Sequence, residues 1–180
     1  MNTLPSPLMP YARQHGFTLV ELVVTIALVA IVSTLAFPTF SETLRQWRRD
    51  SATRALSSSL QLARTEAIKS SRRLVVCSSS DGETCADSSD WKDGWIVFVD
   101  DGATDLAYDD GERIISVSEA QGGIASLTND DDVTALQFMP NGLMAAGATT
   151  FTVTPSGATS ATKVNKLELN TVGRTSVTVE

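Results

Sequence analysis

The order of apolar and polar positions divides this chain into three stretches. From Phe17 to Phe40 a single charge, Glu21, interrupts an otherwise apolar run. Those 24 residues would rise about 36 Å as a helix, enough to cross a hydrocarbon core of about 30 Å. From Ser41 to about Ser71 apolar residues recur at three- and four-residue spacings: Leu44, Trp47, Leu56, Leu60, Ala63 and Ala67. That spacing predicts an amphipathic helix with one apolar face, and no proline interrupts it. After Arg73 the period shortens to two, and turn residues punctuate short apolar runs. Strands are expected at Leu74–Cys77, Trp95–Val99, Arg113–Val117, Val133–Met139, Thr150–Thr154, Lys166–Leu169 and Ser176–Val179. Pro140-Asn141-Gly142, followed by Leu143-Met144, reads as a hairpin turn. A long helix followed by an antiparallel sheet makes the expected fold class α+β.

The apolar run also constrains chemistry. A lone carboxylate near one end of a lipid-spanning segment is expensive and marks a function. The competing reading is an ordinary signal anchor whose glutamate reaches the interface. An ordinary secretory signal carries its cut site after the apolar region, as an A-x-A-like pattern. No such site follows this run, and Arg13 and His15 lie just before it, so the run is expected to be retained. Pro38 removes a backbone donor and is expected to kink or locally melt the helix. The preceding residues, 1–16, hold Pro5, Pro7 and Pro10 and read as an unstructured leader.

Charge refines the division. The 180 residues carry a net charge of −7, unevenly placed: 41–73 sums to +5 and 74–180 to −12. An acidic distal part argues against a protein that coats DNA, since phosphate contacts need Lys and Arg. Arg45, Arg48, Arg49 and Arg54 follow the span while Arg13 precedes it. Taken alone, the positive-inside rule would place the distal part in the cytoplasm. Those arginines could instead meet anionic lipid or acidic faces of neighbouring subunits.

Cys77 and Cys85 enclose a short loop, and the spacing matches no two-pair metal site. Two readings stay open: a disulfide in an oxidising compartment, or two free thiols. With the single histidine in the leader, no Ser-His-Asp set can form beyond it, and a non-enzymatic protein without cofactor or metal is expected. The acidic run Asp100–Asp105 with Asp109–Glu112 departs from the D-x-[DN]-x-[DN]-G calcium spacing and reads as a solvated connection.

Gly16-Phe17-Thr18-Leu19-Val20-Glu21, the apolar run and Pro38 together resemble the type IV pilin and pseudopilin signature. The resemblance implies a prepilin peptidase that cuts between Gly16 and Phe17 and methylates the new amino terminus. It implies a long helix packed on an antiparallel sheet. It also implies that Glu21 docks against the amino terminus of a neighbouring subunit. Further on, Cys77…Cys85…Trp91-Lys92-Asp93-Gly94-Trp95-Ile96-Val97-Phe98, Phe138-x-Pro140-x-Gly142 and Val172-Gly173-Arg174 resemble the GspH/FimT group of minor pseudopilins. The parts implied are a leader over 1–16, a membrane and filament-core helix over 17–40, an amphipathic helix over 41–73 and a β-rich periplasmic domain over 74–180. The implied setting is the bacterial inner membrane, in a type II secretion pseudopilus or type IV pilus, with other pilins and an inner-membrane assembly platform as partners. The resemblance and the cysteine pair together outweigh the positive-inside count.

Two rivals stand beside this reading. One is a FimT-like receptor that binds DNA in transformation through Lys163, Lys166 and Arg174. The late motif is Gly173-Arg174-Thr175-Ser176, without the second arginine of that group. The other is a single-pass periplasmic protein with a coincidental leader. Trp91 and Trp95 are expected to pack in the core or in turns.

Overall fold

A computed structural model describes residues 16–102 and 106–180, leaving aside the side chains of 34–39. It has one long helix, α1 (Leu19–Ser70), and eight strands: β1 (Leu74–Ser78), β2 (Trp95–Val99), β3 (Ile114–Ser118), β4 (Ile124–Asn129), β5 (Ala135–Phe138), β6 (Thr149–Pro155), β7 (Asn165–Leu169) and β8 (Thr175–Val179). The chain falls into two units, one ending at Ser41 and one running from Glu42 to Glu180. α1 is continuous across Pro38, whose side chain lies outside the described residues.

In the first unit, the apolar side chains from Leu19 to Val32 are exposed. Among the described residues no helix is long and apolar enough to cross a membrane. Part of the 24-residue run expected to do so lies in the undescribed side chains of 34–39.

In the second unit the strands form two antiparallel sheets, ordered β3-β2-β1-β5 and β4-β6-β7-β8. The core is shared by three layers. Ala52, Leu56, Leu60, Ala63 and Ala67 of α1 meet Leu74, Val76, Trp95, Val97 and Val99 of one sheet and Leu127, Phe151, Val153, Leu167 and Leu169 of the other. A second, smaller cluster of Val75, Cys77, Ile96 and Phe98 lies on the far face of the first sheet, covered by Cys85, Tyr108 and Ile114. β1 and β2 are thus buried on both faces, which is why both read as unbroken apolar runs. β6 and β7 are buried on one face only and alternate.

Trp47 departs from the expected helix face: it is 62% exposed. It lies nine positions before Leu56, or about 900° around the helix, half a turn away from the core face. The inward position at that end of α1 is filled by Arg49, which is buried. Arg49 Nη1 donates to the Lys163 carbonyl at 2.8 Å, and its guanidinium pairs with Asp50 at 3.1 Å. Asn165 donates to both Asp50 Oδ1 (2.9 Å) and Thr53 Oγ1 (3.0 Å), so a polar network joins α1 to β7.

Candidate functional site

The start of α1 is the first candidate. Gly16 has no neighbour that a side chain would meet, and Phe17 is 78% exposed. Thr18 caps the helix: its Oγ1 accepts the Glu21 N–H at 3.2 Å, and its carbonyl accepts the Leu22 N–H at 3.1 Å. Thr18-x-x-Glu21 has the order of a capping box, and an acidic side chain in the first turn suits the positive end of the helix dipole. Glu21 therefore has a local role, beside any role in docking. The cap was legible as a threonine three residues before a glutamate at the head of an apolar run. The Glu21 side chain is exposed, as are Leu19, Val20, Leu22, Val23 and Val24 around it. The arrangement offers a carboxylate within an uncovered apolar surface, chemistry suited to pairing with a cation in a medium of low dielectric.

The tryptophan motif builds the second feature. Asp90 Oδ1 caps a short 3-10 turn, Trp91–Asp93, by accepting the Lys92 N–H at 3.2 Å. The same oxygen accepts the Leu127 N–H of β4 at 2.9 Å, so one carboxylate ties the turn to the other sheet. Burial pushes the Asp90 carboxyl up, but hydrogen bonds from the Lys92 side chain and the Leu127 and Lys92 N–H groups outweigh it and hold it below the ordinary range. Gly94 then turns the chain at φ 122°, where a Cβ would stand 2.5 Å from the Ser118 carbonyl oxygen and 2.8 Å from that of Ser79. Trp91 and Trp95 are fully buried. Trp91 stacks edge-on against Phe151 with ring centroids 5.2 Å apart, and its Nε1 donates to the Val133 carbonyl at 3.1 Å. The motif is a joint between the sheets, as core packing of the tryptophans implied.

Cys77 and Cys85 are bonded. The loop they close is held by Asp81, whose carboxylate accepts from the Thr84 and Glu83 N–H groups and from the Thr84 and Ser79 hydroxyls. Those bonds, the Thr84 N–H foremost, drive its carboxyl far below the usual range.

In the acidic connection, Glu112 accepts the N–H groups of Asp101 (2.8 Å), Gly102 (2.6 Å) and Asp109 (2.9 Å). Its lone pairs organise the loop. Among the described residues no group of His, Cys, Asp and Glu side chains is placed to hold a metal ion.

Lys163, Lys166 and Arg174 do not form one patch. In the β7–β8 ladder Asn165 faces Val179 and Leu169 faces Thr175, so Lys163 and Arg174 flank opposite ends of the hairpin. Lys166 pairs with Glu180 at 2.8 Å, and that bond raises its pKa. Arg174 instead shares a surface groove of about 200 Å³ with Gln61, Arg64, Thr65, Gly173 and Thr175. Arg64 Nε donates to the Gly142 carbonyl at 3.2 Å. Arg64 could not be assigned to that groove from sequence, because 110 positions separate it from Arg174.

Comparison with known proteins gives concordant matches. The family model of the type II transport protein GspH matches residues 52–173, and that of the prokaryotic N-terminal methylation motif matches residues 11–37. The chain is 29% identical over 152 residues to the pilin-like protein PilA1 of Thermus thermophilus, covering 81% of this chain and 90% of that protein. Its fold is similar to that of the type IV minor pilin FimU of Pseudomonas aeruginosa in two crystal forms. In one form the TM-score is 0.57 at 20% identity, over 75% of this chain and 90% of that one. In the other it is 0.50 at 21% identity, over 73% and 91%.

Proposed function

Because this chain belongs to the GspH family of type II transport proteins and carries an N-terminal methylation motif, we propose that it is a processed minor subunit of a type II secretion pseudopilus or type IV pilus. The family is one of structural, membrane-anchored pilin-like subunits that assemble with other pilins into filaments. In this reading prepilin peptidase cuts between Gly16 and Phe17 and the new amino terminus is methylated. The run from Phe17 to Phe40 crosses the inner membrane once, and the unit from Glu42 to Glu180 lies in the periplasm. An inner-membrane assembly platform moves the subunit into the filament, where Glu21 pairs with a neighbour's amino terminus and Pro38 gives the helix local freedom.

The observation that carries this reading is the coincidence at 16–21. The methylation motif spans these residues, the helix cap Thr18 stands two residues after the glycine, and an exposed apolar surface surrounds Glu21. Such a surface is costly in water and is matched by lipid or by other apolar helices. Gly16→Glu tests it, since a side chain at the cut site blocks the peptidase's approach to the backbone. The expected result is a full-length precursor in the membrane; a shortened product of normal size overturns the reading.

A DNA receptor draws less support. The second unit is acidic, two of the three candidate cations stand away from Arg174, and Lys166 is already paired. A duplex shift at low salt that disappears with Arg174→Gln would restore it.

A further inference from the structure

We propose that the free edge of β8 is a docking site for an extended segment of another protein. That segment adds to the sheet as a fifth, antiparallel strand, with alternate apolar residues on the side of α1 and a carboxylate at Arg64 and Arg174. Three observations within the unit from Glu42 to Glu180 carry the proposal.

The first is the hydrogen bonding of β8. Val164 and Glu180 exchange both backbone bonds, and the Asn170 N–H reaches the Arg174 carbonyl at 3.0 Å. An antiparallel ladder alternates, so Arg174, Ser176, Thr178 and Glu180 turn their backbone groups toward β7. The N–H and C=O groups of Thr175, Val177 and Val179 point the other way, and no described residue takes them. The other three sheet edges are guarded. The pairings of β3 and of β4 each shift register. Asp90 holds the Leu127 N–H of β4, and β5 is bonded to Met144 and Ala145. β8 pairs in unbroken register over Thr-Ser-Val-Thr-Val, without charge, proline or bulge. Such an edge is a template for an added strand.

The second is the face beside that edge. Residues opposite each other in a ladder share a face, so Val177 and Val179 stand on the side of Leu167 and Asn165, which is packed against α1. Leu167 is fully buried, whereas Val177 and Val179 are 50% and 51% exposed. They line a groove of about 260 Å³ with Asp50, Thr53, Arg54 and Asn165. Apolar side chains at alternate positions of an added strand fall on this same face and cover both valines.

The third is charge. Asp50 is paired with Arg49, and Glu180 with Lys166. Glu168, the remaining acid beside β8, accepts the Ser176 hydroxyl at 3.2 Å. Arg54, in the groove of the valines, and Arg64 and Arg174, in the groove at the start of β8, have no carboxylate partner among the described residues. Arg64 is held in place, because its Nε donates to the Gly142 carbonyl and its stem lies on Gly173. Its terminal nitrogens therefore stay available to a carboxylate.

Direction sets a second copy aside. Asp50 and Thr53 meet Asn165, opposite Val179, while Ser57 and Gln61 meet Thr175, so α1 runs against β8. Two β8 strands paired antiparallel would point their α1 helices in opposite directions, which two copies anchored in one bilayer do not do. Only this step uses the membrane-anchor reading.

The test uses the full chain in detergent micelles and the end-capped hexapeptide Val-Thr-Val-Thr-Val-Glu. Its valines fall opposite Thr175, Val177 and Val179 when its glutamate falls opposite Arg174. Amide hydrogen exchange is followed residue by residue. Without peptide, Thr175, Val177 and Val179 should exchange fast while Ser176 and Thr178 are protected. With peptide at about 5 mM, above the dissociation constant of a weak millimolar complex, all five should be protected. The same peptide ending in lysine should bind about fivefold more weakly, the worth of one exposed ion pair, and Arg174→Gln should remove that difference. Val177→Pro deletes an outward N–H, leaves the β7 ladder whole and should abolish binding. Three edge amides protected in the chain alone overturn the proposal. Protection that does not vary with chain concentration means an edge already covered; protection that rises with it assigns the edge to a second copy. Edge amides that stay fast in the presence of peptide, or a lysine peptide that binds as well as the glutamate one, overturn it too.

Discussion

Arg49 Nη1 donates to the carbonyl of Lys163, 114 positions later in the chain, at 2.8 Å. This bond fixes the inward end of the amphipathic segment, at a position where helical spacing calls for an apolar residue, and it sets the entry of β7. Arg49→Ala leaves that carbonyl and Asp50 without their guanidinium partner. A loss of about 1–3 kcal/mol is expected, read as a shift in urea midpoint at unchanged slope. Arg49→Lys keeps the charge without the planar fork and should fall between. Equal stability of wild type and Arg49→Ala would show the network to be dispensable.

Gly94 and Gly111 separate two costs. Both have positive φ, 122° and 97°. A Cβ on Gly111 meets open space, so Gly111→Ala should cost only the backbone penalty, about 1–2 kcal/mol. A Cβ on Gly94 would press into two backbone oxygens that cannot rotate away. Gly94→Ala is therefore expected to cost more than Gly111→Ala and to disturb the near-ultraviolet dichroism of Trp91 and Trp95. Equal thermal shifts for the two variants would remove the steric account of the turn between the two tryptophans.

Thr18 and Glu21 can be told apart in the same way. Thr18→Ala removes the oxygen that accepts the Glu21 N–H and should weaken the helix start by about 1 kcal/mol. Glu21→Gln keeps that backbone bond and deletes the charge. If the carboxylate docks against a neighbour's amino terminus, Glu21→Gln should be cleaved normally yet be scarce in sheared filaments, while Thr18→Ala incorporates. Equal depletion of both would assign the effect to the helix end.

Acid should act through Asp90. Its carboxyl is held below the ordinary value of 3.8 in the folded chain, so its contribution is present above that value and is lost as pH falls through the depressed one. Asp81 titrates in the same direction. Thermal stability followed from pH 7 to pH 3 should fall at the acid end, and Asp90→Asn should flatten that limb. Parallel curves for the two proteins would exclude Asp90 as a contributor.

Much of the second unit was legible where burial imposes a strict period. Leu56, Leu60, Ala63 and Ala67 were read as one face and are all fully buried. The apolar runs of β1 and β2 stood out because both their faces are covered. β4 was not foreseen. Its sequence, Ile124 to Asn129, mixes small and polar residues, and its pairing with β6 shifts between Ile124 and Ser126, so the alternation is broken. Without β4 the division into two sheets could not be seen either. Trp47 was misplaced because its spacing from Leu44 suits a helix face, but the count from Leu56 does not. The grouping of Lys163, Lys166 and Arg174 failed for a related reason: closeness in sequence is undone by a hairpin that separates its ends. The cap, by contrast, was written in four consecutive residues and needed no tertiary contact.

The polar contacts between α1 and the last two strands have a consequence for synthesis. Ser57 and Gln61 meet Thr175, and Thr53 meets Asn165. The ribosome makes Thr175 118 residues after Ser57, roughly 6–24 s later at about 5–20 residues per second. For that interval Leu56, Leu60 and Ala63 have no β7 or β8 to cover them. A nascent chain therefore carries an uncovered apolar stripe on α1 until Asn165 and the residues after it have been made.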